Sequence, residues 1–233
     1  MNFKYLPTLG GALLLTGCLM ERTPIGPMQY DSRAIERDNS AQVTVNLKMG
    51  AGDLKVGTGT SKLAQAYFTY NVPAWKPIVE YSPGDLTIRQ PGNSHSHIGN
   101  VKYEWDLRLG RQIPLDLRVH FGAGEGQLDL GSLDLRSVEV EMGVGQMQMD
   151  LRGDPSHDYA VHIQGGVGEA KVWLPVKAGV YATASGGIGE IRVRGMRKTG
   201  DHWVNEAYDT AKVKVRVDVK GGIGQIELIG DAE

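Results

Sequence analysis

Two histidines in a polar loop are the residues of this sequence best spaced to begin a metal site. His95 and His97 form a His-x-His pair within the phrase GNSHSHIGN at 92–100. A zinc site needs at least a third protein ligand. That ligand would have to come from a distant residue such as His202, because the chain has a single cysteine and no HExxH motif. We therefore expect a loop without a metal, and we assign no cofactor.

A second set of metal-ligating side chains recurs after short glycine phrases. The GGxG phrases resemble calcium-binding nonapeptide repeats, but Ala170, Ile191 and Ile226 stand where those repeats place aspartate. One carboxylate or amide still follows each glycine phrase: Asp53, Glu125, Gln146, Glu169, Glu190 and Gln225. In a stack of strands these side chains would form one column. Because oxygens from a single edge rarely supply the six to eight ligands of calcium, we expect a solvated column.

No catalytic residue is assigned from the sequence. Neither a GxSxG phrase nor a phosphate-binding loop occurs, and no cue brings two carboxylates together for acid/base work. His120 and His162 occupy the polar phase of alternating segments, so we expect them on the surface. The sequence therefore favours a protein that is not an enzyme.

Tryptophan is the remaining residue type that could build a binding surface. Four are present, at 75, 105, 173 and 203, and together they could offer a platform for sugars. Val172 and Leu174 take the inward phase, which leaves Trp173 facing outward. Because exposed aromatic side chains often mark interfaces, we name Trp173 and Trp203 as candidate interface residues. A neighbouring loop, such as 195–210, could instead cover Trp173.

The single cysteine lies in a short sequence motif that resembles a known processing signal. Leu15-Thr16-Gly17-Cys18 follows the short apolar run LGGALLL and resembles the bacterial lipoprotein signal box. The resemblance implies cleavage before Cys18, a diacylglycerol on its thiol and an acylated amino group. Two or three acyl chains give stable membrane attachment. Leu19, where aspartate would retain a lipoprotein at the inner membrane, favours the outer membrane of a two-membrane bacterium. We expect a lipid-anchored protein of the cell envelope that faces an extracytoplasmic space.

The overall charge limits the remaining partners. With 25 Lys and Arg against 27 Asp and Glu, the chain has a formal net charge of -2. It therefore lacks the excess of basic residues that a nucleic-acid-binding protein needs. We expect a membrane contact through the lipid anchor, and either a protein partner at the envelope or self-association.

The elements that must position these residues are strands. From residue 41 onward apolar and polar residues alternate, as at 115–121 (LDLRVHF) and 213–219 (VKVRVDV), with no helical-period segment of useful length. A GxG phrase recurs between alternating runs, and three successive steps between 122 and 187 measure 21, 23 and 21 residues. Such a period predicts a solenoid in which each repeat is one coil. The fold class is therefore all-β, a right-handed β-helix-like solenoid with GxG corners.

Glycine suits a corner because a sharp change of strand direction needs a positive φ or a close backbone approach. We expect the residue between the two glycines, always Ala, Val or Ile, to point inward and stack on its equivalent one coil away. The predicted corner glycines are Gly50, Gly52, Gly122, Gly124, Gly143, Gly145, Gly166, Gly168, Gly187, Gly189, Gly222 and Gly224.

Several phrases resemble the toast-rack family. They are VTVNLKMGAGDLKVGTG (43–59), LAQAYFTYN (63–71), KPIVEYSPGDLTIRQP (76–91) and GMRKTGDHWVNEAYDTAKVKVRVDVKGGIGQIEL (195–228). The resemblance, which extends to the extracytoplasmic part of LiaF-type envelope proteins, implies a stack of β-repeats at the cell envelope and no established enzymatic activity. LiaF-type proteins also carry membrane helices, so kinase regulation does not transfer directly to this chain.

The chain divides into a signal peptide (1–17), a tether (18–40), a toast-rack N-terminal part (41–130) and a β-repeat C-terminal part (131–233) continuous with the preceding stack. The long segment 195–210, with Trp203 and Tyr208, is expected to cap the end formed by the C-terminal strand. Alternatively, that end pairs with another copy or a partner.

The function expected from these patterns is that of a non-enzymatic envelope scaffold or interaction module, adhesin-like or a partner of a stress system. The alternatives are a polysaccharide-acting enzyme, which would need clustered carboxylates on one face, and a glycan-binding module that uses exposed tryptophan.

Overall fold

The computed structural model describes residues 25–92 and 100–231, and this part of the chain is almost entirely strand. The strands are β1 (Gln29–Ile35), β2 (Val43–Thr58), β3 (Ala64–Tyr70), β4 (Ile78–Ser82), β5 (Asp85–Arg89), β6 (Tyr103–Leu109), β7 (Leu115–Asp129), β8 (Leu135–Asp150), β9 (Tyr159–Trp173), β10 (Gly179–Arg194), β11 (Arg197–Thr199), β12 (His202–Val204) and β13 (Lys214–Ile229). Two short 3-10 turns cover Pro73–Trp75 and Glu206–Asp209. Within these residues no helix is long and apolar enough to cross a membrane.

All of these strands belong to one open sheet, which confirms the all-β prediction. Its order is β1-β3-β6-β2-β7-β8-β9-β13-β10-β12-β11, with β5 on the other half of β2 and β4 on β5. The six long strands from β2 to β10 in this order are parallel. β1, which lies in the segment assigned to the tether, and β3 pair antiparallel at the N-terminal end.

Each long strand must fold back on itself at its GxG phrase. A straight strand the length of β7 would extend about 50 Å at about 3.3 Å per residue. The residues between Asp129 and Leu135 nevertheless join the end of β7 to the start of its parallel neighbour β8, and five residues reach about 18 Å at most. The two halves of every long strand therefore lie in two facing layers, and we call each folded strand with its following turn a coil.

The core fills the space between the two layers. Val119 and Phe121 from the first half of β7 and Leu128 from its second half are all buried in one continuous cluster. At the N-terminal end, where β3 and β6 extend one layer, an aromatic group completes this core: Phe68, Tyr70, Trp75, Tyr103 and Trp105.

The glycines of the GxG phrases lie between the two halves of each long strand. The second glycine of each phrase has a positive φ, as at Gly145 (142°) and Gly168 (140°). A Cβ at Gly168 would overlap the carbonyl oxygen of Gly145 in the neighbouring coil. The first glycine of each phrase does not have a positive φ. At Gly187 a side chain is excluded by close packing, since a Cβ there would lie 2.7 Å from the carbonyl oxygen of Gly222. Successive coils thus approach so closely at the corner that side chains are excluded there.

The residue between the two glycines does not point inward, so that prediction is wrong. Val144 is 53% exposed and Ile188 is 71% exposed. Each of these residues continues the every-second-residue spacing of the buried positions in the first half of its strand. Extending that alternation through the corner therefore predicts, wrongly, that they are buried. The phase changes at the corner: in β8 the buried positions are even from Val138 to Met142 and odd from Met147 onward. The intervening residue therefore lies on the outside of the fold-back.

The C-terminal strand does not end the stack, which corrects the predicted position of the cap. β13 lies between β9 and β10, in register with both. The last long strand is β10, and β12 covers its outer side only at Tyr181 and Ala182. Among the described residues, no strand covers that side of β10 beyond Ala182. The segment 195–210 therefore caps part of an end, but it is the end formed by β10.

Replacing Gly168 with Ala should destabilise the protein by about 2 kcal/mol or more, because Ala is strained at this φ and its Cβ overlaps the next coil. Gly165→Ala in the same strand is the matched control, since the nearest atom to its Cβ would be 3.9 Å away. Equilibrium unfolding in urea measures both changes. Equal free energies of unfolding for the two variants would contradict the role assigned to the corner.

Candidate functional site

An exposed aliphatic ladder runs along the corner edge of the sheet. Cross-strand pairing aligns the residues between the glycines, one from each coil. We call this set the corner ridge; in spatial order it comprises Ala51, Ala123, Val144, Val167, Ile223 and Ile188. With strands about 4.8 Å apart, the corner ridge is about 24 Å long. The exposed side chains of the corner ridge increase in size from alanine at the β2 end to isoleucine at the β10 end.

The acidic and amide column lies beside the corner ridge, as the sequence predicts. Register places Asp53, Glu125, Gln146, Glu169, Gln225 and Glu190 side by side. Partial burial, and then the charges of Glu104 and Glu125, raise the pKa of the Asp53 carboxyl. Lys102 opposes this shift and forms an ion pair with Glu104. The column lies on an outward face, where it is open to solvent.

An open groove of about 670 Å³ follows the other flank of the corner ridge. Lys48, Gln90, His120, Glu141 and Gln164 are among the residues that line it. His120 Nδ1 lies 2.9 Å from a Glu141 carboxylate oxygen. His120 and His162 are exposed, as predicted from their phase. The groove therefore combines positively and negatively charged side chains with apolar ones.

The four tryptophans do not form one platform. Trp75 and Trp105 are buried in the core, at 6% and 2% exposure. Trp173 is half-buried on the outward face of β9, and its ring lies under two cations, Lys171 Nζ at 4.9 Å and Arg152 at 5.7 Å. Trp203 is also half-buried, with Lys198 Nζ 5.2 Å from its ring centre. The two candidate interface residues thus lie on separate surfaces.

A shallow hollow of about 250 Å³ adjoins Trp173. Its lining includes Gln127, Asp129, Gln148, Asp150 and Arg152. Burial alone would raise the pKa of the Asp150 carboxyl, but hydrogen bonds from Arg152 at 2.6–3.1 Å prevail and lower it. A general acid needs a raised pKa, so Asp150 is suited to hydrogen bonding and not to proton donation.

A buried amide that the sequence analysis missed holds the cap in place. Asn205 is 3% exposed, and its side chain accepts a hydrogen bond from Val180 N at 2.8 Å. It donates to Ala178 O at 2.8 Å and Pro175 O at 3.2 Å. These bonds join the segment carrying Trp203 to the start of β10. An isolated Asn in a polar phrase gives no sequence signal for such a role.

Three candidate residues lie outside the described part of the chain: Cys18, His95 and His97. Within residues 25–92 and 100–231, no group of three or more His, Cys, Asp or Glu side chains is placed to hold a metal ion.

Replacing Asp53 with Asn should raise the melting temperature at pH 7, because the charged carboxylate is partly desolvated and repelled by Glu104 and Glu125. A raised pKa in the folded state means that the native protein binds the proton more tightly than the unfolded chain. The wild type therefore gains stability as the pH falls through that pKa, and the advantage of Asn should shrink below about pH 4.

Thermal melting at pH 4 and pH 7 measures this difference. Asp106→Asn on the neighbouring strand is the control, since Asp106 is paired with Arg108 at 3.4 Å and gains nothing from neutralisation. A lower melting temperature for Asp53→Asn at pH 7 would show that the column is not repulsive.

A solved structure shares this architecture. A crystal structure named as a "putative cell adhesion protein" from Clostridium sporogenes has a TM-score of 0.85 and 30% sequence identity, covering 87% of this chain and 99% of that one. Two structures named as a "putative adhesin", from Bacteroides fragilis and Parabacteroides merdae, have 8% and 10% identity and TM-scores of 0.33 and 0.28, covering 87% of this chain and 97% and 96% of theirs. No match is found among the curated proteins.

The sequence itself matches a family model, described as the N-terminal domain of toast_rack, DUF2154, over residues 25–173. The match begins in the segment assigned to the tether, includes β1, and continues through β9 in the repeat region. The resemblance noted from the sequence phrases is therefore confirmed: the chain belongs to the toast-rack family.

Proposed function

We propose that this protein is a lipid-anchored, extracytoplasmic interaction module with an adhesin-like role and no catalytic activity. The observation that carries the proposal is the similarity to the "putative cell adhesion protein" from C. sporogenes, which this chain matches over 99% of that protein's length. The aligned coils of this chain form regular, extended faces, the type of surface that repeat proteins use for binding.

The anchor in this proposal rests on Cys18. It is the single cysteine of the chain and it follows LTG after a short apolar run. Acylation there would attach the protein to a membrane on its extracytoplasmic side, and Leu19 favours the outer membrane where two membranes are present. The proposed partner is an envelope or surface protein, or a second copy of the chain.

We also propose that the coils wind as a right-handed, solenoid-like β-helix. Connections between parallel strands are right-handed in about 98% of cases, because the twist of the strands favours that hand. The short turns between successive coils, such as 130–134, are consistent with such winding.

Glycan binding at Trp173 is the second candidate function. The hollow beside this ring combines an aromatic side chain with two amides and two carboxylates, which are the groups that recognise sugar hydroxyls. The cations over the ring weigh against it, because a sugar would have to displace one of them to stack there. A polysaccharide-acting enzyme is less well supported, since Asp150 is held by Arg152.

Replacing Cys18 with Ser should transfer the protein from the detergent phase to the aqueous phase when detergent-solubilised cells are separated into the two phases. The change removes the acceptor of the lipid and leaves the folded part untouched. Thr16→Ser, close to the cleavage position, is a control expected to keep the protein membrane-bound. Unchanged partition of the Cys18 variant would exclude the anchor.

Cells that carry the full chain should attach to immobilised partner surfaces more strongly than cells without it. Immobilised envelope glycans and extracellular-matrix proteins, tested separately, distinguish the two classes of ligand. Trp173→Ala should weaken attachment several-fold if the hollow is the contact, whereas Trp203→Ala tests whether the segment at the β10 end contributes to attachment.

Attachment equal to that of cells lacking the protein would contradict the adhesin-like role. Release of reducing sugar from the immobilised glycans would favour an enzyme.

A further inference from the structure

We propose that the corner edge faces the membrane that carries the anchor, and that the corner ridge lies on its lipid surface. This inference rests on the proposed acylation of Cys18. It goes beyond the adhesin-like role, because it states which edge of the molecule is turned away from partners.

The chain enters the fold at the corner edge. Gly26 N donates a hydrogen bond to Asn71 O at 2.7 Å, immediately beyond the end of β3. β1 begins at Gln29, which pairs with Tyr70, and Tyr70 pairs with Tyr103. Tyr103 in turn lies against the corner glycine Gly52. The first described residues are therefore in the same row as the corners.

The length of chain before this point limits the distance to the membrane. Six residues (19–24) separate Cys18 from Ile25, and the connection spans about 25 Å at most. From the corner to the opposite edge, each half of a coil adds about 23 Å. The short connection therefore keeps the point where the chain enters the corner edge within about 25 Å of the lipid, so this edge can reach the lipid surface.

Exposed aliphatic side chains are concentrated on this edge. Ile25 and Met28, at 41% and 42% exposure, lie where the chain enters. Ile223 and Ile188, at 51% and 71%, lie at the far end of the corner ridge. Apolar groups at both ends of one edge would let that edge lie along a surface instead of standing on one end. Shallow burial of such groups at the lipid interface is favourable.

The adjacent acidic column determines which lipids are suitable. Asp53, Glu125, Glu169 and Glu190 carry negative charge directly beside the corner ridge. An anionic lipid surface would repel them. The proposed occupant is therefore a zwitterionic phospholipid surface, and contact should weaken as anionic lipid is added.

The test uses the full-length acylated protein in phosphatidylcholine–phosphatidylethanolamine vesicles that contain a nitroxide-labelled lipid. With Cys18 acylated, an introduced cysteine is the free thiol available for a fluorophore. Val167→Cys places the probe on the corner ridge, and Val176→Cys places it in the turn after β9, at the opposite edge. The two native side chains have nearly equal exposure, 43% and 41%. We expect several-fold stronger quenching at 167 than at 176, reduced when phosphatidylglycerol is included.

A ridge variant tests whether the aliphatic groups cause the contact. Ile188→Asn with Ile223→Asn should lower quenching at 167 while flotation with vesicles is retained. Equal quenching at 167 and 176 in floating protein would overturn the membrane-facing edge and leave the anchor intact. Protein that fails to float, with unmodified Cys18 by mass spectrometry, would remove the anchor and this inference with it. Energy transfer between copies at 167, without lipid quenching, would instead identify the corner edge as a protein interface.

Discussion

The close approach of backbones at the corner is the constraint on which the rest of this structure depends. Gly124, Gly145 and Gly168 follow one another across three coils, and at each a Cβ would overlap the carbonyl oxygen of the preceding coil. Because no side chain fits, each corner can stack on the next at the spacing of paired strands. The positive φ of these glycines also reverses the inward phase, so both strand halves face one core.

The surface features follow from this alignment. Once the corners are in register, equivalent positions of successive coils form rows. Each row carries side chains of similar chemistry. The row between the glycines is aliphatic and exposed, and the next row is acidic or amidic. Such rows are extended and shallow, which suits contact with large surfaces better than enclosure of a small substrate. Binding at these surfaces would involve several coils together.

Much of the architecture could be predicted from the sequence, because alternation and glycine position act locally. Alternation identified strands such as β7 and β13, and the GxG phrases lie at the corners. Alternation failed at Val144 and Ile188, since it cannot show where a folded strand changes phase. The insertion of β13 between β9 and β10 was also missed: all three strands carry the same GGxG phrase, so any order satisfies the pattern. Burial of Trp105 follows its inward neighbours Tyr103 and Leu107, whereas the cations over Trp173 depend on contacts that only folding creates.

The position of β13 has a consequence for how the protein matures. β9 and β10 are made before it, yet in the finished sheet each pairs with β13 and not with the other. Until the residues after Lys214 are available, the space between these two strands is empty and two buried ladders are missing. For a chain exported in an unfolded state, the C-terminal end of the stack can therefore close only when nearly the whole polypeptide has been translocated. In such an exported chain, completion of the fold would be delayed until the destination compartment is reached, and early termination would leave two unpaired strand edges.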